Sequence, residues 1–282
     1  MIAAAFDYEA PNSVNEAVEL LASREDAKLL AGGHSLLPAM KLRLAAPSLL
    51  VDLGRIRGID YIRETDGKIA IGAMTTHAAI AASKVLLAHS PLLLQTAANI
   101  GDLQVRNRGT IGGSLAQAHP SADYPAAVLA LDAEIIAVSS KGQRSIPAGG
   151  FFTGMFSTAL QPDEIITEIR VPKTSGAGTS YRKFHHPASG YAVVGVAALI
   201  RLASKKLADV AIGITGVGHI AYRATAVEDA LRGQSLAAIA EAAEHAADNV
   251  EAIGDTYASG EYRQHLARVF TRRALEQAAA GS

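Results

Sequence analysis

Apolar positions in this chain recur with two periods, and the switches between them outline its elements. Ser13-Val14-Asn15-Glu16 has the form of a capping box, and Val14, Ala17, Val18 and Leu21 behind it fall on one helical face. Lys28 to Ala31 reads as a short strand, and Leu36 to Leu44 as a helix interrupted early by Pro38. Leu49 to Asp52 and Lys68 to Gly72 read as strands, Thr76 to Ala88 and the segment after Pro91 as helices. Asp102 to Arg108 is a polar stretch without either period. Beyond it, Ala126 to Leu131 is helical, while Glu134 to Val138 and Glu164 to Val171 are strands. Pro172 to Ser180 holds proline, two glycines, two serines and two threonines and reads as a linker. Strands follow at Tyr181 to Phe184, Tyr191 to Leu202 and Leu207 to Val217. Helices at Thr225 to Leu231, Leu236 to Asn249 and Tyr262 to Ala279 close the chain. Strands and helices mix without a regular βαβ repeat, so the expected class is α+β rather than doubly wound.

Two glycine-rich stretches stand between these elements: Ala31-Gly32-Gly33-His34-Ser35-Leu36 and Thr110-Ile111-Gly112-Gly113-Ser114. Paired glycines let backbone N–H groups approach a ligand with no Cβ in the way. A turn of such amides suits phosphate oxygens, and two turns suggest a cradle for the diphosphate of a dinucleotide. Neither stretch contains lysine and no Walker A pattern is present, which argues against an ATP-hydrolysing P-loop. Gly216-Val217-Gly218-His219-Ile220-Ala221 matches G-x-G-x-x-A after a strand. No second strand with an acidic ribose ligand follows it, so it reads as a turn between strand and helix.

Composition narrows the chemistry further. Among 282 residues there is no cysteine, which excludes disulfides, thiolate zinc, cysteinyl iron–sulfur clusters and a cysteine nucleophile. Redox work by this chain therefore needs an organic cofactor. The nine histidines show no metal-binding spacing, so no metal site is expected. A net charge of −1 without a long basic block gives no case for nucleic acid. The apolar run from Tyr191 to Ile200 is too short to span a bilayer, and Met1 to Asp7 lacks a basic signal region; a cytoplasmic location is expected. His34, inside the first loop, is placed to contact phosphate or to attach covalently to a flavin, with the non-covalent role expected. Asp123 follows the second loop by nine residues; it suits sugar-like hydroxyls, or an N-cap ahead of Ala126. Tyr191 either stacks on a flat ring or begins a core strand.

These residues resemble the FAD-binding medium subunit of the molybdenum hydroxylases, the family of carbon monoxide and xanthine dehydrogenases. The likeness covers nearly the whole chain. It includes Phe6-Asp7-Tyr8, both glycine loops, His119-Pro120-Ser121-Ala122-Asp123-Tyr124-Pro125, Phe151-Phe152-Thr153-Gly154, Leu160-Gln161-Pro162-Asp163-Glu164-Ile165 and Asp255-Thr256-Tyr257-Ala258-Ser259 with Tyr262-Arg263. The resemblance implies a two-part FAD-binding domain of vanillyl-alcohol-oxidase type at 1–174, divided near 53. A C-terminal domain with an antiparallel sheet and helices would occupy 178–282. It implies non-covalent FAD on both loops, with Asp123 at the sugar-like chain, Leu160 and Ile100 beside the cofactor and Tyr191 against its ring. Relatives carry a lysine where this chain has Phe184-His185, which leaves Lys183 and His185 as candidates for the basic contact. No catalytic residue is implied. A molybdopterin large subunit would oxidise substrate and an iron–sulfur small subunit would pass electrons to this FAD, in a dimer of heterotrimers. The flavin would discharge to quinone, oxygen or NAD. The alternative is a free-standing flavin oxidase with its own substrate.

Overall fold

The computed structural model describes residues 2–281; Met1 and Ser282, the outer ends of the two expected domains, lie outside the described residues. The first unit runs β1 (Asp7–Glu9), α1 (Val14–Ser23), β2 (Lys28–Leu30), α2 (Leu36–Lys41) and β3 (Leu49–Asp52). Its three strands are parallel in the order β1-β3-β2. Ser13 caps α1 through the Glu16 N–H at 3.2 Å, and the Glu16 carboxylate accepts the Asn12 N–H at 2.8 Å. Ala17, Val18 and Leu21 on the inner face of α1 pack with Leu49 and Val51, the core the periodicity called for.

The second unit begins with β4 (Ile62–Thr65) and β5 (Lys68–Gly72). Six helices follow: α3 (His77–Ala81), α4 (Lys84–His89), α5 (Pro91–Ala98), α6 (Leu103–Arg108), α7 (Ile111–Gln117) and α8 (Asp123–Ala130). It closes with β6 (Glu134–Ser139), β7 (Gly142–Pro147), the small hairpin β8 (Phe152–Gly154) and β9 (Ser157–Thr158), and β10 (Ile165–Pro172). The large sheet is antiparallel in the order β4-β5-β10-β6-β7. The segment expected as one helix over 76–88 breaks at Ala82, because Ser83 starts a new helix by accepting the Leu86 N–H at 3.2 Å. The polar stretch over 102–108 is helical after all. Asp102 caps it through the Val105 N–H at 2.8 Å, and none of its side chains is buried, so it leaves no periodic apolar trace.

In the third unit β11 (Gly178–His185), β12 (Ala192–Ala203), β13 (Lys206–Thr215) and β14 (Tyr222–Arg223) form an antiparallel meander. After α9 (Thr225–Leu231) and the single turn α10 (Ile239–Ala242), the long α11 (Gly260–Ala280) crosses the sheet. It buries Leu266, Ala267, Phe270, Ala274, Leu275 and Ala278. The segment over 236–249 is not one helix but α10 flanked by 3-10 turns. The stretch read as a linker is irregular only over 173–177, since β10 and β11 run into it from both sides. The Gly216–Ala221 stretch is a turn as read, but it leads into β14 before any helix.

The third unit seats on α8 by close backbone contact. A Cβ on Gly213 would stand 1.9 Å from the Ala126 carbonyl oxygen. The Thr215 hydroxyl lies 2.8 Å from the carbonyls of both Pro120 and Ala122, and the Gly216 N–H donates to Pro120 at 3.0 Å.

Candidate cofactor site

The first glycine loop leaves β2 at Leu30 and enters α2 at Leu36. Gly33 at its centre has φ +76°, a left-handed turn that glycine adopts without strain. Among the described residues, no hydrogen bond engages the N–H groups of Gly32, Gly33, His34 or Ser35. The exposed His34 turns its Nδ1 to the Gly32 carbonyl at 3.1 Å. Four successive unpaired amides are what an anionic oxygen requires.

The second loop is different in kind. Ile111 donates to Thr75 at 3.1 Å, Gly112 to Ala73 at 2.9 Å, Gly113 to the Thr110 hydroxyl at 3.1 Å and Ser114 to the Thr110 carbonyl at 3.0 Å. Its amides are therefore occupied, which departs from the reading of both glycine pairs as amide cradles. Its glycines serve close approach instead. A Cβ on Gly112 would lie 2.6 Å from the Ala73 Cβ. A Cβ on Gly113 would lie 3.4 Å from the Ala31 Cβ, and one on Gly32 would lie 2.2 Å from the Arg108 carbonyl oxygen. The two loops, some eighty positions apart in sequence, are thus packed against each other. The Ser114 side chain stays partly exposed beside the junction.

A second cluster forms where the third unit meets the second. Lys183 on β11 is buried, its Nζ donating at 2.9 Å to the Asp123 carboxylate and at 2.9 Å to the Asn99 carbonyl. The other Asp123 oxygen accepts the Tyr181 hydroxyl at 2.5 Å. Burial raises the Asp123 pKa, with Lys183 and the Tyr181 hydroxyl pulling the other way. Asp123 is not an N-cap, as one reading had it: Ala122 holds that position, and Asp123 is the first helical residue. Ile100 follows the Asn99 that Lys183 grips, and Arg106 ties down the carbonyls of Ile100 and Gly101, both at 2.9 Å. A Cβ on Gly190 would stand 3.6 Å from the Gly101 Cα, so the β11–β12 loop lies beside Ile100 and carries Tyr191 with it.

Tyr191 is 37% exposed, and its ring stacks on His119, centroids 4.3 Å apart and planes 14° apart. His119 is two residues beyond α7, so this stack links the second glycine loop to the Tyr191 loop. Leu160, partly buried, packs at the edge of the second unit's core. His185 lies at the surface, where desolvation by its neighbours and then the nearby Lys183 charge lower its pKa. With Asn99, Lys183 and the α11 residues Phe270 and Arg273, it borders a cavity of about 630 Å³. The structure thus joins the residues singled out in sequence into two groups, loop against loop and Asp123–Lys183–Ile100–Tyr191. His119, Asn99, Gly101 and Gly190 were not singled out as site residues; the glycines left a sequence signal as turn residues, and His119 opened the motif that runs to Pro125 without a role of its own. Among the described residues no group of three His, Cys, Asp or Glu is placed to hold a metal ion, and no helix is long and apolar enough to cross a membrane.

Residues 4–174 match the family described as the FAD binding domain in molybdopterin dehydrogenase, and residues 179–278 match the CO dehydrogenase flavoprotein C-terminal domain. The chain belongs to this flavoprotein family. It is an FAD-binding subunit of the oxidoreductase class, with the α+β architecture of that family. Among its relatives is the carbon monoxide dehydrogenase medium chain of Hydrogenophaga pseudoflava, 40% identical over 99% of this chain and 98% of the relative. The nicotine 6-hydroxylase medium subunit of Paenarthrobacter nicotinovorans is 37% identical over 98% of each. A solved structure of quinoline 2-oxidoreductase from Pseudomonas putida 86 superposes with a TM-score of 0.94, at 33% identity, covering 100% of this chain and 99% of that one. Flavoproteins of complexes named for quite different substrates are nearly equally similar to this chain, so similarity does not select a substrate.

Proposed function

We propose that this chain is the electron-transfer subunit of a molybdenum hydroxylase complex. It would receive electrons from an iron–sulfur small subunit, while a molybdopterin large subunit oxidises the substrate. The observation that carries the reading is the row of four unpaired amides in a loop locked against a second glycine loop. The fit to FAD is chemical: each hydrogen bond to a charged oxygen contributes roughly 1.5–3 kcal/mol, so several suffice without a lysine. On this reading the amides of Gly32, Gly33, His34 and Ser35 hold the diphosphate, with Ala31 and Leu36 bracketing them. Thr110, Ile111, Gly112, Gly113 and Ser114 supply the opposing wall. Asp123 keeps lone pairs for ribityl hydroxyls while Lys183 fixes its direction. Ile100, Leu160, His185 and Tyr191 surround the ring. When bound, FAD supplies two-electron storage and release toward a quinone, oxygen or NAD.

On this reading the chain's own residues bind and orient the cofactor; among the described residues no acid–base pair stands out for substrate chemistry, which disfavours the free-standing oxidase. The proposed assembly is a dimer of heterotrimers in the cytoplasm. The test is flavin content of the purified full-length chain with its partners. Gly33→Asp or Gly113→Asp should remove FAD by clash and charge repulsion, and Gly32→Ala by prising the loops apart at the Arg108 carbonyl. Normal flavin content in these variants overturns the assignment. Molybdenum and iron on the co-purifying chains support the complex, whereas substrate turnover by the isolated chain supports the oxidase. Flavin left in an acid-precipitated pellet would overturn the non-covalent reading, and its loss in His34→Ala would assign the bond to His34.

A further inference from the structure

The Tyr191 ring has two faces, and His119 covers one of them. The imidazole is held on several sides. Its Nδ1 accepts the Ser121 N–H at 3.0 Å, which leaves the proton of the neutral ring on Nε2. Burial lowers its pKa and favours that neutral form. Phe156 meets it edge-on, centroids 5.1 Å apart at 85°. Phe156 is in turn tied back by its N–H to the Ala118 carbonyl at 3.2 Å. Both Ala118 and Phe156 adopt left-handed backbone, with φ +45° and +56°, where residues other than glycine are strained. Strained backbone at both Ala118, next to His119, and Phe156, packed on it, marks a geometry that the surrounding structure over-determines. Tyr191 itself sits at the end of an exposed loop, and among the described residues no hydrogen bond holds its hydroxyl.

We infer that His119 is a positioning residue for the cofactor: it backs Tyr191 as a rigid plate and thereby directs the isoalloxazine to the opposite, exposed Tyr191 face. The inference rests on the FAD reading above. His119, Tyr191 and the flavin then form one continuous stack, with Phe156 edge-on behind it. Without the imidazole behind it, Tyr191 can rotate away, and the ring contact becomes intermittent.

The test uses the full-length chain assembled with its co-purifying partners and loaded with FAD, comparing wild type, His119→Ala, His119→Phe, Tyr191→Ala and the double variant His119→Ala/Tyr191→Ala. An aromatic pair shifts such a stacked equilibrium by about two- to tenfold. His119→Ala should therefore weaken FAD binding by about that factor and raise the fluorescence of bound flavin, because a ring in steady contact quenches it. His119→Phe should restore both values, and His119→Ala should have no further effect once Tyr191 is already alanine. The proposal is overturned if His119→Ala matches wild type in affinity and fluorescence. It is equally overturned if His119→Phe behaves as His119→Ala, or if the His119→Ala effect persists in the Tyr191→Ala background. A wild-type chain that takes up no FAD even when assembled with its partners would instead overturn the cofactor reading.

Discussion

Acid should weaken this protein through His77 before it reaches most of the carboxylates. His77 opens α3 and is 5% exposed. Its Nδ1 is buried without a partner, and its ring stands edge-on to Tyr124 at 5.3 Å. A Cβ on Gly109 would lie 2.5 Å from its Nε2, so the ring fills the space directly behind the second glycine loop. An imidazolium there would lack an acceptor and would face the charges of His34 and Arg106; burial above all pushes its pKa down from 6.5 to about 4. The folded value lies below the unfolded one, so between these limits the unfolded chain binds the extra proton. Stability is therefore full above pH 6.5 and falls as pH drops toward about 4. At 1.36 kcal/mol per unit the loss is about 2 kcal/mol at pH 5 and about 3 kcal/mol at most. Urea midpoints of wild type and His77→Leu, measured from pH 7.5 to 4.5 at one state of flavin loading, test this. The wild type should lose about 2 kcal/mol more than the variant by pH 5. His119 and His185, whose pKa values are also lowered, and Asp123, whose raised value acts in the opposite sense, remain in both proteins and cancel in the comparison. Parallel pH curves would refute the argument.

Lys183→Met should lower stability by about 3–5 kcal/mol by leaving Asp123 buried without its cation. Adding Asp123→Asn should return part of that loss, read in denaturant midpoints of the flavin-free chain; equal midpoints for the two variants would contradict the pairing. Arg263 is buried and donates to the Val193 carbonyl at 2.7 Å, the Gly216 carbonyl at 2.6 Å and Asp255 at 2.5 Å. Arg263→Met should cost about 3 kcal/mol in thermal or urea unfolding, since two buried carbonyls lose their donor. Gly213→Ala should destabilise by at least 1–3 kcal/mol, because the new methyl meets the Ala126 carbonyl, whereas Gly149→Ala enters open space and should stay within about 0.5 kcal/mol of wild type.

The sequence was most legible where one face is buried along a single element. Ala17, Val18 and Leu21 on α1 declare themselves by period, and β12, buried on both faces, by its unbroken apolar run. Elements without such a face were lost: α6 buries nothing, and most of β7 is exposed. Both glycine loops could be found because paired glycines are a backbone signal. Their different uses could not, since that depends on Ala73 and Thr75 arriving to occupy the second loop's amides. The same holds for Asp123 with Lys183 and His119 with Tyr191, 60 and 72 positions apart. Only tertiary packing brings such partners within reach, and no local pattern encodes it.

The seat of the third unit on α8 bears on how the molecule can move. A clamshell swing about residues 173–177 would have to pull Gly213 off Ala126 and strip Pro120 and Ala122 of the hydrogen bonds they accept. Those contacts lie at the foot of the Asp123–Lys183 pair, so the swing would uncover that charge as well. The covalent strap is thus not what holds the two bodies together: a protease cut beside Ser175 should leave both fragments eluting as one particle. Accommodation of a bound molecule then falls to the short stretches carrying His34 and Tyr191, while the frame behind them stays still.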